Sequence, residues 1–242
     1  MAGHSKWNNI RRKKEKTDAQ KAKIFMKISK EISVAVKEYG TDFNINSKLK
    51  ELILKAKMNN LPNDNIERII KKASGNNDKN NYERIIYEGY GPNGVAIIIE
   101  ALTDNRNRTA GDLRHYFDKF GGNLGQTGCV SFLFLAKGII SFLFNNIENY
   151  DKFLDDCLNI DGIEDIKNDD EYIEIYTISD KMIEIKDKLE SLGYKSLESS
   201  INKIPATYIE ISDEEVKLKL NKLLDLLEDN DDVNNVWHNC NM

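Results

Sequence analysis

The sequence predicts an α+β protein in which an N-terminal three-helix module is followed by two ferredoxin-like βαββαβ domains, one inserted into the other. Three observations lead there. Apolar residues recur at helical spacing up to residue 75, the polar run 76–81 (NNDKNN) interrupts them, and strand-like and helix-like patterns alternate from residue 82 onward. The expected organisation is a basic arm and helical domain over 1–75, a split ferredoxin-like domain over 82–136 plus 205–242, and an inserted ferredoxin-like domain over 137–204.

Residues 1–17 (MAGHSKWNNIRRKKEKT) show no apolar periodicity, so an extended or disordered arm is expected. Ile24, Ile28, Ile32 and Val36 then recur every fourth residue, and Gly40 stops that first helix. Ser47 is placed to cap a second helix bearing Leu49, Leu52 and Ala56, while Pro62 and Asn63 open a third that ends at Gly75. One apolar stripe on each of three short helices makes a small bundle.

Beyond the linker, 84–90 and 95–102 read as strands, followed by a helix with Thr109 as N-cap and Asp112 three residues on. Strands at 129–135 and 205–211, a helix opened by Ser212-x-x-Glu215 and a strand at 233–237 complete one βαββαβ order. Between them, strand 138–144, helix 148–160, two strands around 163–166 and 172–176, a helix capped by Ser179 and a strand after Tyr194 give the same order again.

The net charge of −5 conceals an asymmetry. Residues 1–75 carry 18 Lys/Arg against 8 Asp/Glu, a net of +10, and the rest carries a net of −15. A basic module on an acidic body points to a polyanion at one end, the alternative being chance and solvated helix faces. No window approaches the ~18 apolar residues of a membrane helix, and no apolar leader core is present. Cys129, Cys157 and Cys240 lack metal-site spacing, so a reducing compartment with inert thiols is expected. A cytoplasmic protein with no membrane partner follows as the expectation.

Most motifs do not carry chemistry. GYGPNG (89–94) matches GxGxxG but leads into a strand, whereas a dinucleotide site needs the loop to open a helix. GGNLGQTG (121–128) lacks the Lys-Ser/Thr of a phosphate-binding loop, although its glycines would let backbone approach a ligand. His4, His115 and His238 are scattered, and nothing recommends a Cys129/His115 pair. No catalytic residue, metal site, cofactor or small-molecule substrate is expected.

Two basic features remain. In the arm, Lys6, Arg11, Arg12, Lys13, Lys14 and Lys16 would neutralise phosphates, with Trp7 offering a face for base stacking, and Lys21, Lys23, Lys27 and Lys30 continue the charge into the first helix. The alternative is a solubilising tail. The second is TDNRNRT (103–109), where Arg106 and Arg108 stand beside a helix N-terminus that favours an anion. The competing reading pairs those arginines with the abundant carboxylates.

The start MAGHSKW with its basic run resembles the YebC/PmpR family, which includes mitochondrial translational activators of cytochrome oxidase. LPNDNIERIIKKASG (61–75), YEGYGPNGVAIIIEALTDNRNRT (87–109), GGNLGQTGCVSFLF (121–134) and LLDLLEDNDDVNNVWHN (223–239) carry the same resemblance nearly end to end, with 137–204 similar in pattern more than in words. Cys129 stands where the family often has Ser, which argues against a required thiol. The resemblance implies a three-domain protein without enzymatic activity. Its members are labelled either DNA-binding transcriptional regulators or ribosome-associated translation factors. The absence of a convincing helix-turn-helix spacing and the single aromatic in a basic arm lean towards RNA, with DNA as the alternative.

Overall fold

A computed structural model of the protein describes residues 18–43, 45–75, 82–169 and 171–241, with side chains from residue 21 onward, so the arm and the linker lie outside it. Helices α1 (Asp18–Tyr39), α2 (Ser47–Met58) and α3 (Asn63–Ser74) come first, then β1 (Glu83–Tyr90), β2 (Ala96–Thr103), α4 (Arg106–Lys119) and β3 (Asn123–Leu124). An intervening stretch holds β4 (Phe134–Leu143), α5 (Tyr150–Leu158), β5 (Ile163–Asn168), β6 (Tyr172–Ile178), α6 (Met182–Ser191) and β7 (Glu198–Pro205). The chain closes with β8 (Ile209–Glu210), α7 (Glu214–Asp229), β9 (Val233–His238) and β10 (Cys240–Asn241). Two compact units result, residues 1–131 with 208–242, and residues 132–207.

In the first unit α1 lies against both α2 and α3. Ile28, Ile32, Ala35 and Val36 meet Leu49, Leu52, Ala56, Ile66 and Ala73 in a buried cluster. The residue that caps α2 is Asn46 instead of Ser47. Its amide group accepts from the Leu49 N–H at 2.9 Å and donates to the carbonyls of Ala35 and Gly40, so one buried side chain ends α1 and starts α2. That double use outweighs a hydroxyl that could serve only one helix.

The unit's main sheet has the order β3-β1-β2-β9, antiparallel throughout. The β1–β2 hairpin turns through 92–94, where Asn93 and Gly94 take left-handed backbone conformations. Helices α4 and α7 cover one face, placing Leu113, Phe117, Leu220 and Leu227 on Val95, Ile97 and Ile99. The α+β class holds, but the strands are filled differently from the expected βαββαβ. Residues 129–135 and 205–211 are not members of this sheet, and β1 occupies the place between β2 and β3. An eight-residue register with β2 makes β1 the better partner. Residues 131–133 form a 3₁₀ turn, Pro205 ends a strand of the other unit, and only 209–210 pair, with β10.

Helix starts shift as well. Asn105 caps α4, accepting from the Arg108 N–H at 3.1 Å, because Thr109 is buried and engaged elsewhere. Asp213 caps α7 in place of Ser212, accepting from the Glu215 and Val216 N–H groups. A 3₁₀ turn at 179–181 precedes α6, so Ser179 makes no cap.

The second unit has the strand order β5-β6-β4-β7, all antiparallel, which is the ferredoxin-like arrangement. Ile140, Phe142, Ile173 and Ile175 pack on Phe153, Cys157, Ile185 and Leu189 of its two helices.

Candidate nucleic-acid interface

The glycine-rich stretch after α4 folds around the protein's own carboxylate. Glu88, almost wholly buried on β1, accepts backbone N–H groups from Gly128 at 2.9 Å, Val130 at 2.8 Å and Ser131 at 2.8 Å. Burial opposes ionisation here, yet the three amides outweigh it and hold the Glu88 carboxyl below its usual range. The amides an anionic ligand would need are therefore already taken. Close chain approach explains the glycines: a Cβ at Gly122 would lie 2.6 Å from the Tyr90 carbonyl oxygen, and one at Gly89 would lie 2.6 Å from that of Asn123.

A second buried carboxylate organises the start of α4. Asp232 sits in the turn before β9, where one oxygen meets Lys30 Nζ at 2.8 Å. The other accepts from Arg108 at 2.7 Å, from the Thr109 hydroxyl at 2.9 Å and from the Thr103 hydroxyl at 3.2 Å. Burial raises the carboxyl's pKa, but the hydrogen bonds from Arg108, Lys30 and Thr109 more than reverse this and bring it down to about 2. Arg108 also pairs with Asp104 at 2.9 Å. Its side chain stays 48% exposed while making both pairs. Arg106 differs, being 67% exposed, with its nearest carboxylate, Glu83, 3.8 Å away.

Along α1, Lys21 is exposed, Lys23 pairs with Asp229 at 3.0 Å, and Lys30 is buried on Asp232 with its ammonium over the Tyr82 ring. Lys23, Lys30, Arg108 and Asp232 line one cleft of about 490 Å³, and neither Lys21 nor Arg106 joins them. Lys6, Trp7, Arg11, Arg12, Lys13, Lys14 and Lys16 lie outside the described residues.

Sequence reasoning passed over the cations that are free. Arg68, Lys71 and Lys72 are exposed on α3 and form no ion pair among the described residues, and the same holds for Lys50 on α2. The spacing of the α3 set at i, i+3 and i+4 puts all three on one helix face, and that spacing was the available signal. Replacing all three by glutamine should weaken binding of a labelled single-stranded RNA about tenfold at low salt. The log–log salt slope should fall by about 2, three phosphate contacts at about 0.7 each. An unchanged slope in a fluorescence titration would remove α3 from the interface.

Neither a metal-holding cluster nor the Cys129/His115 pair is assembled among the described residues. No set of three His, Cys, Asp or Glu residues has metal-holding geometry, and no hydrogen bond joins His115 to Cys129. Burial, with Asp156 beside it, pushes the Cys157 thiol up to about 12, and burial followed by the Glu88 charge raises that of Cys129. Both are poor nucleophiles in consequence. No helix among the described residues is long and apolar enough to cross a membrane.

Comparison with known proteins places the chain. Residues 5–76 match the family model described as the TACO1/YebC protein N-terminal domain, and residues 82–240 match the TACO1/YebC second and third domain. The chain belongs to the TACO1/YebC family. A relative from Acetivibrio thermocellus is 53% identical over 99% of this chain and 98% of its own length, and one from Finegoldia magna is 50% identical with the same coverage. Both carry the name probable transcriptional regulatory protein. A crystal structure of a conserved hypothetical protein from Aquifex aeolicus is similar with a TM-score of 0.84 and 41% identity, covering 93% of this chain and 92% of that one. Against this TACO1/YebC background, the pairing of Arg108 and Lys30 with Asp232 distinguishes cations that build the fold from those left exposed.

Proposed function

We propose that this TACO1/YebC chain is a non-enzymatic regulator of gene expression that binds nucleic acid through its N-terminal basic module, with ribosome-associated RNA as the target. The observation that carries the reading is the charge asymmetry, +10 over residues 1–75 against −15 over the remainder. Such a distribution draws a phosphate backbone to one end and repels it from the other, so contact stays local. Arg68, Lys71 and Lys72, exposed and without an ion pair among the described residues, support it from the folded part of the module, and Arg106 and Arg108, with side chains 67% and 48% exposed, are the cations of the second basic feature. Lys6, Trp7, Arg11, Arg12, Lys13, Lys14, Lys16, Lys21 and Lys23 are proposed as contacts from the arm and its continuation, on charge and stacking chemistry.

One observation favours DNA-binding transcriptional control as a second reading, besides the names of the relatives. Helices α2 and α3, each 12 residues long, are joined across only 59–62 and both rest on α1. A short connection between two helices on a third is the layout used by helix-turn-helix proteins, with α3 in the recognition position.

Sedimentation of cell lysate through sucrose gradients separates the two. The RNA reading predicts co-migration with ribosomes that is lost at high salt. Protein remaining at the top of the gradient while retarding a specific promoter fragment would replace it with the DNA reading.

A further inference from the structure

Helix α7 ends in a charge arrangement that its own dipole disfavours. Glu228 and Asp229 occupy its last turn, at the negative end, with no basic residue in that turn, and Asp231 and Asp232 extend the acidic run. Compensation comes from α1, some two hundred residues earlier in the chain. Lys23, Lys27 and Lys30, spaced four and three apart, share one helix face. The Lys23 ammonium donates to the Asp229 carbonyl at 3.1 Å and pairs with its carboxylate at 3.0 Å. Lys27 donates to the Glu228 carbonyl at 2.5 Å, and Lys30 to the Asp231 carbonyl at 3.0 Å and the Asp232 carboxylate at 2.8 Å. Thus α1 supplies from outside the cationic cap that α7 lacks.

The three contacts are graded. Lys30 and Asp232 have side chains only 9% and 7% exposed, so their pair is sheltered from salt. The Lys23 and Asp229 side chains are 39% and 65% exposed, open to water, ions and any competing anion. Carbonyl and carboxylate oxygens offer these ammonium groups what phosphate oxygens would offer.

We propose that the acidic end of α7, residues 228–231, is an internal stand-in for a phosphate backbone: it occupies Lys23 and Lys27 in the free protein, and nucleic acid arriving at α1 displaces it while the Lys30–Asp232 pair holds. This rests on the nucleic-acid reading above. Opening requires a polyanion long enough to engage Lys23 and Lys27 together, which makes the latch a filter against short anions.

Two measurements on the full chain test it, using a labelled oligouridine as probe. Neutralising the tip with Glu228→Gln, Asp229→Asn and Asp231→Asn together should tighten binding about twofold to fivefold at low salt, the range expected for removing exposed ion-pair competition. Neutralising three exposed acids elsewhere, with Glu148→Gln, Asp155→Asn and Glu210→Gln, should change it far less. In the wild-type chain a carbodiimide should couple Lys23 to Asp229, and saturating oligouridine should reduce that cross-link. If oligouridine binds but leaves the cross-link yield unchanged, or if both triple variants tighten binding equally, the latch is wrong and the nucleic-acid reading survives. If neither wild type nor tip variant binds nucleic acid at all, both fall.

Discussion

Replacing Asp232 by alanine is expected to destabilise the first unit by about 3–5 kcal/mol, the range for breaking a buried ion pair by removing one partner. The change would leave the buried Lys30 ammonium uncompensated and take the acceptor from Thr103, Thr109 and Arg108 together. Because Lys30 lies on α1, Thr103 ends β2 and Thr109 lies within α4, the loss should be felt across the unit instead of at one loop. Urea unfolding at neutral pH measures it. Asp232→Asn supplies the pH test. A folded pKa of about 2, below the ordinary carboxylate value of 3.8, stabilises the fold above the ordinary value by about 2 kcal/mol. That contribution fades as pH falls from about 4 towards 2. The gap between wild type and Asp232→Asn should therefore narrow over that interval. A constant gap would show that the charge on Asp232 is not what holds the network.

Glu88→Ala is expected to cost about 1–3 kcal/mol, the range for a buried donor left unmade, since it orphans the buried Val130 N–H and takes the acceptor from the part-buried N–H groups of Gly128 and Ser131. The effect should appear first as faster amide exchange over 125–131, because those donors hold that stretch in place. Glu88→Gln should restore little of the loss, its carboxamide having one acceptor oxygen where the carboxylate has two. The Glu88 carboxyl titrates below its usual range, so its contribution is present above that range and is lost on acidification through the lowered pKa. A variant with unchanged stability and unchanged exchange would mean that the turn is held by its glycines and apolar contacts alone.

The sequence made the helices of the N-terminal module legible because their apolar spacing is local. Ile28, Ile32 and Val36 announce the face they bury. The β1–β2 hairpin was equally plain from the turn chemistry of PNG between two apolar runs. The run CVSFLFL misled, since its apolarity resembles a strand while Glu88, some forty residues earlier, draws the amides of 128, 130 and 131 into a turn. Thr109 misled for a related reason. It has the chemistry of a cap, yet Asp232 claims its hydroxyl from 123 residues away. The candidate site shows the same division. Charge is written in the sequence, but whether a lysine is spent or free depends on carboxylates about two hundred positions distant, as with Lys23 and Asp229. Arg68, Lys71 and Lys72 stand out only once the other cations have been paired.

Under the proposed function, the N-terminal basic module is what holds nucleic acid. Titrating a labelled single-stranded RNA at a series of salt concentrations, with the full chain and with a chain lacking residues 2–16, tests it most directly. The deletion removes Lys6, Arg11, Arg12, Lys13, Lys14 and Lys16. If most of these meet phosphates, it should weaken binding by at least tenfold at moderate salt and lower the log–log salt slope by roughly 3 or 4. The same affinity and the same slope in both proteins would mean that the arm does not meet the nucleic acid.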